Sequence, residues 1–257
     1  MRMNMIQKDH WNPSLYDDKH GFVSKFGNQL LDYLGPKQGE NILDVGCGTG
    51  DLANKIASVG ANVVGIDFSE NMIAKAKEKY PHIQFMVKDV TKMDFHQEFD
   101  AVFTNATLHW VKPPEKALTN IFNSLKNGGR FVAEFGGKGN VQKITDALLI
   151  EIKKAGIDRD ISFPWYYPSI GEYTTLMEQA GFRVTLAMHF DRPTPLEGED
   201  GLKNWILMFG NQFFEGINEE LKEEIIANVE TALKPSLFEN GVWVADYKRI
   251  RVVGIKE

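Results

Sequence analysis

Residues 41–50, with the sequence NILDVGCGTG, decide the fold. Their apolar run ends in glycine, which is typical of a buried parallel strand followed by a tight turn. Asp44 precedes Gly46 by two residues, where dinucleotide-binding folds usually carry an apolar residue, and Asp51 replaces the third glycine of their G-x-G-x-x-G motif. A pyrophosphate disfavours a neighbouring carboxylate, whereas a cationic amine attracts one. The loop therefore predicts a ligand with a positively charged amino-acid head.

Apolar strand patterns alternate with helical patterns on both sides of this loop. The predicted strands are 41–46, 62–67, 83–88, 99–105, 130–136, 183–190 and 247–256, and the predicted helices include 51–59, 69–80, 114–125 and 170–180. Ser69 is the predicted N-cap of the second of these helices, and Pro81 ends it. Such alternation predicts an α/β fold, with a Rossmann-like, mostly parallel sheet and helices on both faces.

The length of 257 residues fits one large domain or two small ones. We predict a single domain over residues 1–257. Three helical additions, 1–35, 137–169 and 191–240, are expected to cover the carboxyl edge of the sheet, where open α/β folds bind ligands.

Composition narrows the function classes. The net charge of −6 argues against a nucleic-acid partner, and Cys47 as the one cysteine excludes an intrachain disulfide and indicates a reducing, cytoplasmic location. The N-terminal residues lack the apolar core of a signal peptide, and no apolar run approaches the ~18 residues of a membrane span, so we expect no membrane association. The six histidines are scattered, which gives a metal site little support. A small-molecule substrate is therefore the expected partner.

Acidic residues end the second and third predicted strands. Asp67 can accept hydrogen bonds from both hydroxyls of a ribose, or alternatively cap the next helix. Asp89 can accept from the exocyclic amine of adenine, or alternatively act as a turn residue. Met72 packs either on the adenine face or simply in the core.

The chain resembles class I S-adenosylmethionine-dependent methyltransferases in the loop 44–50, in Asp67 and Asp89, and in the segment NATLHW at 105–110. The resemblance covers roughly residues 11–136 and the closing strand pair. It implies S-adenosylmethionine as cofactor and a seven-stranded sheet whose last strand is antiparallel. It also implies that Asp44 and Gly46 lie near the methionine part, Asp67 holds the ribose and Asp89 holds the adenine. The expected cofactor-binding residues are Tyr16, Asp44, Gly46, Cys47, Gly48, Asp67, Phe68, Met72, Asp89, Val90, Asn105, Ala106 and Trp110.

A narrower resemblance concerns the acceptor. Trp11, Tyr16, residues 22–23, the segment 105–110 and the segment FPWYYPS at 163–169 are similar to the subgroup of trans-aconitate and malonyl carrier-ester methyltransferases. Those enzymes methylate free carboxylates, so the resemblance implies methyl ester formation on a small acid. A hydroxyl, amine or carbon acceptor is the alternative. The expected substrate residues are Trp11, Phe22, Trp165 and Tyr166, although the aromatic residues at 165–167 could equally form a buried plug.

His109 is the candidate catalytic residue, because neutral histidine can act as a general base. Its alternative role is a hydrogen-bonding wall of the pocket. Lys138, Arg159 and Arg192 are basic residues in or near the additions, and the sequence singles out none of them as the counter-charge of an acid. Two other function classes remain open: an NAD(P)-dependent oxidoreductase and a non-catalytic binding domain.

The cofactor assignment makes a direct prediction. S-adenosylhomocysteine should raise the thermal unfolding midpoint, because a ligand that binds the native state alone stabilises it. NADH and NADPH should leave the midpoint unchanged. A shift with NADH and none with S-adenosylhomocysteine would reverse the assignment in favour of an oxidoreductase.

Overall fold

The computed structural model describes residues 22–157 and 159–257, with side chains from Gly27 onward in the first range. Trp11 and Tyr16 therefore lie outside the described residues, as does the predicted helical stretch before residue 22. Phe22 begins the first described helix, but its side chain lies outside the description. None of the described helices combines the length and apolarity needed to cross a lipid bilayer.

Helices and strands alternate through the first half of the chain, as predicted. The helices are α1 (Phe22–Leu34), α2 (Asp51–Ala57), α3 (Glu70–Lys79), α4 (Pro114–Ser124), α5 (Gln142–Lys154), α6 (Ile170–Gln179), α7 (Gly201–Phe209) and α8 (Glu219–Leu237). The strands are β1 (Asn41–Val45), β2 (Asn62–Asp67), β3 (Gln84–Val87), β4 (Phe99–Asn105), β5 (Leu125–Gly136), β6 (Phe182–Pro195), β7 (Phe238–Glu239) and β8 (Val242–Lys256). Short 3₁₀ helices cover Leu108–Trp110 and Asn211–Phe214.

The sheet confirms the predicted α/β fold. Its strand order is β3-β2-β1-β4-β5-β8-β6; β1 pairs in parallel with β2 and β4, β2 with β3, and β4 with β5, while the last strands are antiparallel. The eighth strand, β7, pairs only with β8 through a two-residue turn, in which Asn240 and Gly241 both have positive φ. The order reverses between β1 and β4, and open α/β sheets bind ligands beside such a reversal.

The start of β5 differs from the prediction. Asn127, Gly128 and Gly129 predict a turn after α4, but the structure includes them in β5, which begins at Leu125. Leu125 pairs with Phe99 and Arg130 pairs with Ala101, so residues 126–129 bulge opposite one residue of β4. Gly128, with a φ of 81°, allows this bulge. The chain thus returns to the sheet without a separate loop.

A hydrophobic cluster holds the early elements together. Leu30 and Leu34 of α1 and Ile56 of α2 belong with Ile42 and Phe103 to one group of buried side chains. β1 and β4 are both rich in buried apolar residues. Such strands favour the centre of a parallel sheet, where both faces are covered. This core fixes the carboxyl end of β1, where the glycine loop begins.

The chain divides into two compact units. The first contains, among the described residues, 22–135, 170–188 and 251–257, and the second contains 136–169, without residue 158, and 189–250. The second unit therefore holds α5, α7 and α8. That the additions cover the sheet edge stays a prediction.

A buried ion pair joins β5 to β8 in the first unit. Arg251 donates from Nε and Nη2 to Oε2 of Glu134, over 2.9 and 2.5 Å. Glu134 is 2% exposed and Arg251 is 6% exposed. The Arg251 guanidinium also lies 4.6 Å from the ring centroid of Tyr33 on α1. The two charges compensate each other where water does not reach.

Glu134→Gln should destabilise the protein by about 3 kcal/mol, because it leaves a buried guanidinium without its counter-charge. The matched control is Glu257→Gln, which breaks the exposed pair with Arg183 and should cost less than about 1 kcal/mol. Urea unfolding of both variants measures the difference. Equal losses would show that the Glu134 pair contributes no more than a surface pair.

Candidate active site

The loop between β1 and α2 is bound to the end of β2. The backbone N–H groups of Gly46 and Cys47 both donate to the carbonyl oxygen of Ile66, over 2.7 and 3.0 Å. Gly46, Gly48 and Gly50 have φ values of 71°, 54° and 88°. Only glycine adopts this left-handed region without strain, which explains the glycine at every second position.

A close approach explains Gly46 further. A Cβ atom at Gly46 would lie 2.0 Å from Oγ1 of Thr107. That hydroxyl donates to the carbonyl oxygens of Gly46 and Asn105, over 3.3 and 3.1 Å. The segment after β4 is thereby attached to the glycine loop. Thr107 was missed among the predicted site residues, although it lies within the segment 105–110 that carries the resemblance.

Asp44 is a buried carboxylate at the carboxyl end of β1. It is 2% exposed, and its Oδ2 has no hydrogen-bond partner among the described residues. Burial raises the pKa of Asp44 to about 8, and the charge of Asp67 contributes in the same direction. An isolated carboxylate in this position is costly, so the site favours a ligand that brings a positive charge.

Cys47 contributes its backbone N–H to the structure of the loop, and its thiol stays neutral. The thiol is buried, and this burial raises its pKa well above the ordinary value, with Asp44 and Asp67 adding to the effect. A thiol without thiolate character is a poor nucleophile.

Asp67 connects the glycine loop to α3. Its Oδ2 accepts from the backbone N–H of Gly48 over 3.0 Å, and its Oδ1 accepts from that of Ser69 over 2.9 Å. Ser69 is the N-cap, because its hydroxyl accepts from the backbone N–H of Met72 over 3.1 Å. The predicted cap is thus confirmed at Ser69, and the alternative of Asp67 as the cap is wrong. A carboxylate oxygen can accept more than one hydrogen bond, so these backbone contacts are compatible with a ligand at Asp67.

The two apolar residues predicted beside Asp67 differ in exposure. Phe68 is 54% exposed, so its ring is accessible to a ligand. Met72 is 3% exposed in the first turn of α3, as its core-packing alternative requires.

Asp89 makes a local turn after β3. Its Oδ1 accepts from the backbone N–H and the hydroxyl of Thr91, over 2.9 and 2.7 Å, and its Oδ2 lies 3.1 Å from the ammonium of Lys92. Burial tends to raise the pKa of Asp89, but the Thr91 and Lys92 contacts outweigh it and lower that pKa. These contacts match the turn role that the sequence left open. Val90 is buried, and its carbonyl oxygen accepts from the side-chain amide of Asn120 over 2.9 Å.

The residues after β4 include a strained backbone position. Ala106 has a φ of 57°, and its N–H donates to the carbonyl oxygen of Glu134 over 2.7 Å. Side chains with a Cβ rarely adopt this conformation, and such positions cluster at ligand-binding sites. Asn105 lies directly before it, opposite Glu134 in the sheet. This backbone conformation turns the chain sharply at the edge of the sheet.

His109 and Trp110 lie on the short 3₁₀ helix that follows. His109 is 6% exposed, and its ring centroid is 5.6 Å from that of Trp110. The imidazole is therefore enclosed by protein, as the wall role requires.

Asp51 does not add negative charge to the loop. Its Oδ1 lies 2.7 Å from the ammonium of Lys79 and accepts from the Tyr80 hydroxyl over 2.6 Å. Lys79 therefore compensates its charge. The expectation of a cationic ligand depends on Asp44 instead.

Two of the aromatic residues predicted to contact substrate, Trp165 and Tyr166, belong to the second unit. Trp165 is 3% exposed and stacks on Tyr167, with centroids 5.6 Å apart and an interplanar angle of 16°. Phe163, Trp205 and Phe213 surround it. Trp165 thus forms the buried plug, whereas Tyr166 stays partly exposed.

Of the basic residues considered as counter-charges, one is buried. Lys138 and Arg159 are exposed, while Arg192 is 9% exposed and lies over the ring of Phe190. Sequence reasoning missed Arg249, which is 7% exposed. β8 also contains Asp246, Lys248, Arg251 and Lys256, so its sequence does not distinguish Arg249.

These features suit a nucleoside that carries a cationic amino-acid group. Asp44 has a buried oxygen without a partner among the described residues, and a Cβ atom at Gly48 would meet no heavy atom within 4 Å, so the loop surface is open there. Asp67, at the next strand end, can accept from ribose hydroxyls. The arrangement defines a nucleoside-binding α/β enzyme whose ligand carries positive charge.

Comparisons with known proteins agree. Residues 43–133 match the family described as a methyltransferase domain. The chain is 30% identical over 264 residues to an uncharacterised methyltransferase of Schizosaccharomyces pombe, covering 98% of this chain and 100% of the relative. It is 26% identical over 238 residues to a trans-aconitate 2-methyltransferase of Variovorax paradoxus, covering 86% and 87%.

A solved structure shows the same fold. The phosphoethanolamine N-methyltransferase 2 of Haemonchus contortus, in complex with phosphomonomethylethanolamine and S-adenosylhomocysteine, superposes with a TM-score of 0.58 at 19% identity, covering 90% of this chain and 52% of that one. The present chain belongs to the class I S-adenosylmethionine-dependent methyltransferases. Its cofactor, S-adenosylmethionine, supplies an activated methyl group on a positively charged sulfur.

Asp67→Ala should weaken S-adenosylhomocysteine binding at least about 100-fold, because a charged acceptor of two hydroxyls is lost and the N–H of Gly48 loses its partner. Calorimetric titration measures the dissociation constant. Asp94→Ala, which removes an exposed carboxylate paired with Lys88, is the control and should bind as wild type. An unchanged dissociation constant in folded Asp67→Ala would restrict Asp67 to supporting the loop.

Proposed function

We propose that this enzyme methylates a carboxylate oxygen of a small organic acid and releases a methyl ester. The proposal is based on one observation, which is that the titratable groups at the strand ends are held by structural contacts or buried. Asp67 and Asp89 hold loops through backbone and side-chain hydrogen bonds, and His109 is enclosed. A site of this kind suits an acceptor from which no proton has to be removed.

A carboxylate is such an acceptor. It is ionised at neutral pH, whereas a hydroxyl or protonated amine must lose a proton before or during transfer. The chain then has to orient the acceptor and exclude water. Similarity to a trans-aconitate 2-methyltransferase over 86% of this chain supports an acidic acceptor, because the aligned length extends well beyond the cofactor-binding half.

We assign the following roles within this proposal. Asp44, with the loop from Gly46 to Gly48, receives the amino-acid end of the cofactor. Asp67 holds its ribose, and Asp89 shares its carboxylate between Lys92 and the adenine. The remaining proposed cofactor contacts are Tyr16, Phe68, Met72, Val90, Asn105, Ala106 and Trp110. The proposed acceptor contacts are Trp11, Phe22 and Tyr166, whereas Trp165, which is 3% exposed, packs within the second unit.

The proposal also concerns the cellular setting. A net charge of −6 disfavours nucleic acid as the acceptor, and the one cysteine fits a reducing environment. We therefore place the enzyme in the cytoplasm with a small-molecule acceptor.

The test combines an acceptor screen with a variant of His109. With labelled donor, wild type should convert small carboxylic acids into base-labile methyl esters. His109→Asn should lower turnover by no more than about tenfold, because loss of a general base typically costs ~10²–10⁴-fold. The wild-type rate should lack a rising limb near the ordinary histidine pKa of ~6.5.

Two outcomes would contradict this assignment. One is a thousandfold loss in His109→Asn with intact cofactor binding, accompanied by a wild-type rate that climbs through that pH region. The other is transfer to hydroxyls or amines while acids stay unmethylated.

A further inference from the structure

One buried guanidinium of the second unit lacks a counter-charge. Arg249 on β8 is 7% exposed, and its Nε is fully enclosed without a hydrogen-bond partner. No hydrogen bond or ion pair joins it to an acidic side chain among the described residues. Guanidinium groups are rarely buried without pairing, because removing a charge from water costs several kcal/mol. The position of Arg249 therefore calls for an explanation.

Arg251 shows how the same strand satisfies a buried arginine. It lies two residues further along β8 and is 6% exposed. Its Nε and Nη2 both donate to Oε2 of Glu134. β8 thus carries one buried guanidinium that is paired within the protein and one, at Arg249, that is not.

β6 and β8 are neighbours in the sheet and pair in one antiparallel register. The N–H of Leu196 donates to the carbonyl oxygen of Trp243 over 2.8 Å, and Lys248 lies 3.8 Å from Asp191, so both pairs fit the same alignment. Side chains alternate along a strand, so every second residue shares a face. The face that includes Arg249 also carries Phe190, Arg192, Thr194 and Tyr247.

These paired strand segments place no acid on the face of Arg249. Their acidic residues, Asp191 and Asp246, lie on the opposite face. Oδ2 of Asp246 accepts from the backbone N–H of Lys143 over 2.9 Å, at the start of α5. Arg192, which is 9% exposed, brings a second guanidinium to the face of Arg249. The side chains beside Arg249 therefore offer it no compensating charge.

The aromatic groups around Arg249 are neutral. Its Cζ lies 4.5 Å from the ring centroid of Tyr247, whose hydroxyl accepts from Nε1 of Trp205 over 2.6 Å. Burial raises the pKa of Tyr167, whereas the side chain of Asn140 and the charge of Arg249 oppose that rise. Both tyrosines thus keep their protons near neutrality, so they hold the guanidinium in place without supplying negative charge.

The outer edge of the Arg249 guanidinium remains open to a ligand. Nε is fully enclosed, but Nη1 and Nη2 are not, and neither donates to a described residue. A guanidinium presents parallel N–H groups that two oxygens of one oxyanion accept together. We infer that Arg249 binds an oxyanion, either free or as the end group of a larger molecule, at a site built from residues of the second unit. This site uses that unit alone, so it holds for any methyl acceptor.

Inorganic phosphate at pH 7 is the probe. About 20 mM phosphate should raise the thermal unfolding midpoint of wild type by at least about 2 °C more than chloride of equal ionic strength, because an anion that binds the native state alone stabilises it. Chloride lacks the paired oxygens. Arg249→Gln should lose this difference. Arg183→Gln, which removes an exposed arginine of β6, should behave as wild type.

Calorimetric titration gives the dissociation constants. Arg249→Gln should bind phosphate at least about tenfold more weakly than wild type, because it loses a charge-assisted pair of hydrogen bonds. Methyl phosphate distinguishes the two sources of the oxyanion. Binding as tight as that of phosphate would support the end group of a larger molecule, and weaker binding would support a free ion.

Two further readouts separate binding from folding. Arg249→Gln should bind S-adenosylhomocysteine as wild type and, in chloride, unfold at the same or a higher temperature, because it removes an unpaired buried charge. Arg249→Lys decides the question if Arg249→Gln does not fold. It keeps the charge without the parallel N–H groups, so it should bind phosphate at least about threefold more weakly than wild type.

Three outcomes would overturn the oxyanion site. Phosphate could stabilise wild type no more than chloride does. Phosphate could also bind equally well to wild type, Arg249→Gln and Arg249→Lys. A marked loss of thermal stability in Arg249→Gln, with the effect of phosphate unchanged, would assign Arg249 to folding instead.

Discussion

The buried carboxylate of Asp44 is the constraint on which the site depends. It lies near the end of a central strand, which β2 and β4 pair on either side, and it is 2% exposed. The following loop turns through left-handed glycines and is tied to Ile66, Asp67 and Thr107. Burial keeps the pKa of Asp44 high, so the folded protein without ligand holds this group largely protonated near neutrality. A cationic ligand is what makes the ionised form favourable.

Among the described residues, some charged groups are compensated by a neighbouring charge and others are not. Glu134 and Arg251 are buried together and satisfy each other, and Asp51 is satisfied by Lys79. Asp44 in the first unit and Arg249 in the second have no such partner among the described residues. The buried carboxylate of Asp44, left without a partner among the described residues, thus matches the positive charge of the methyl donor.

Much of the fold was predictable from the sequence, because the signals that decide it are local. The apolar runs of β1, β2 and β4 predicted those strands to within a residue, and Ser69 predicted its own helix start. Residues 127–129 predicted a turn, whereas the structure has a bulge there, because glycine is favoured in both. The pair Asn240-Gly241 was an available hairpin signal that was not used. The compensation of Asp51 by Lys79 depends on tertiary contact, as does the isolation of Arg249, and neither follows from spacing.

The central claim is that Asp44 is protonated in the ligand-free protein and becomes ionised when a cationic ligand binds. The direct measurement is calorimetric titration of S-adenosylhomocysteine at pH 7 in two buffers of different ionisation enthalpy, with wild type and Asp44→Asn. Because pH 7 lies below the pKa of about 8, binding to ionised Asp44 should release close to one proton in wild type, and less as the pH rises past that value. Asp44→Asn should bind more weakly and release none. No proton release from wild type at pH 7, or equal release from both proteins, would contradict the account.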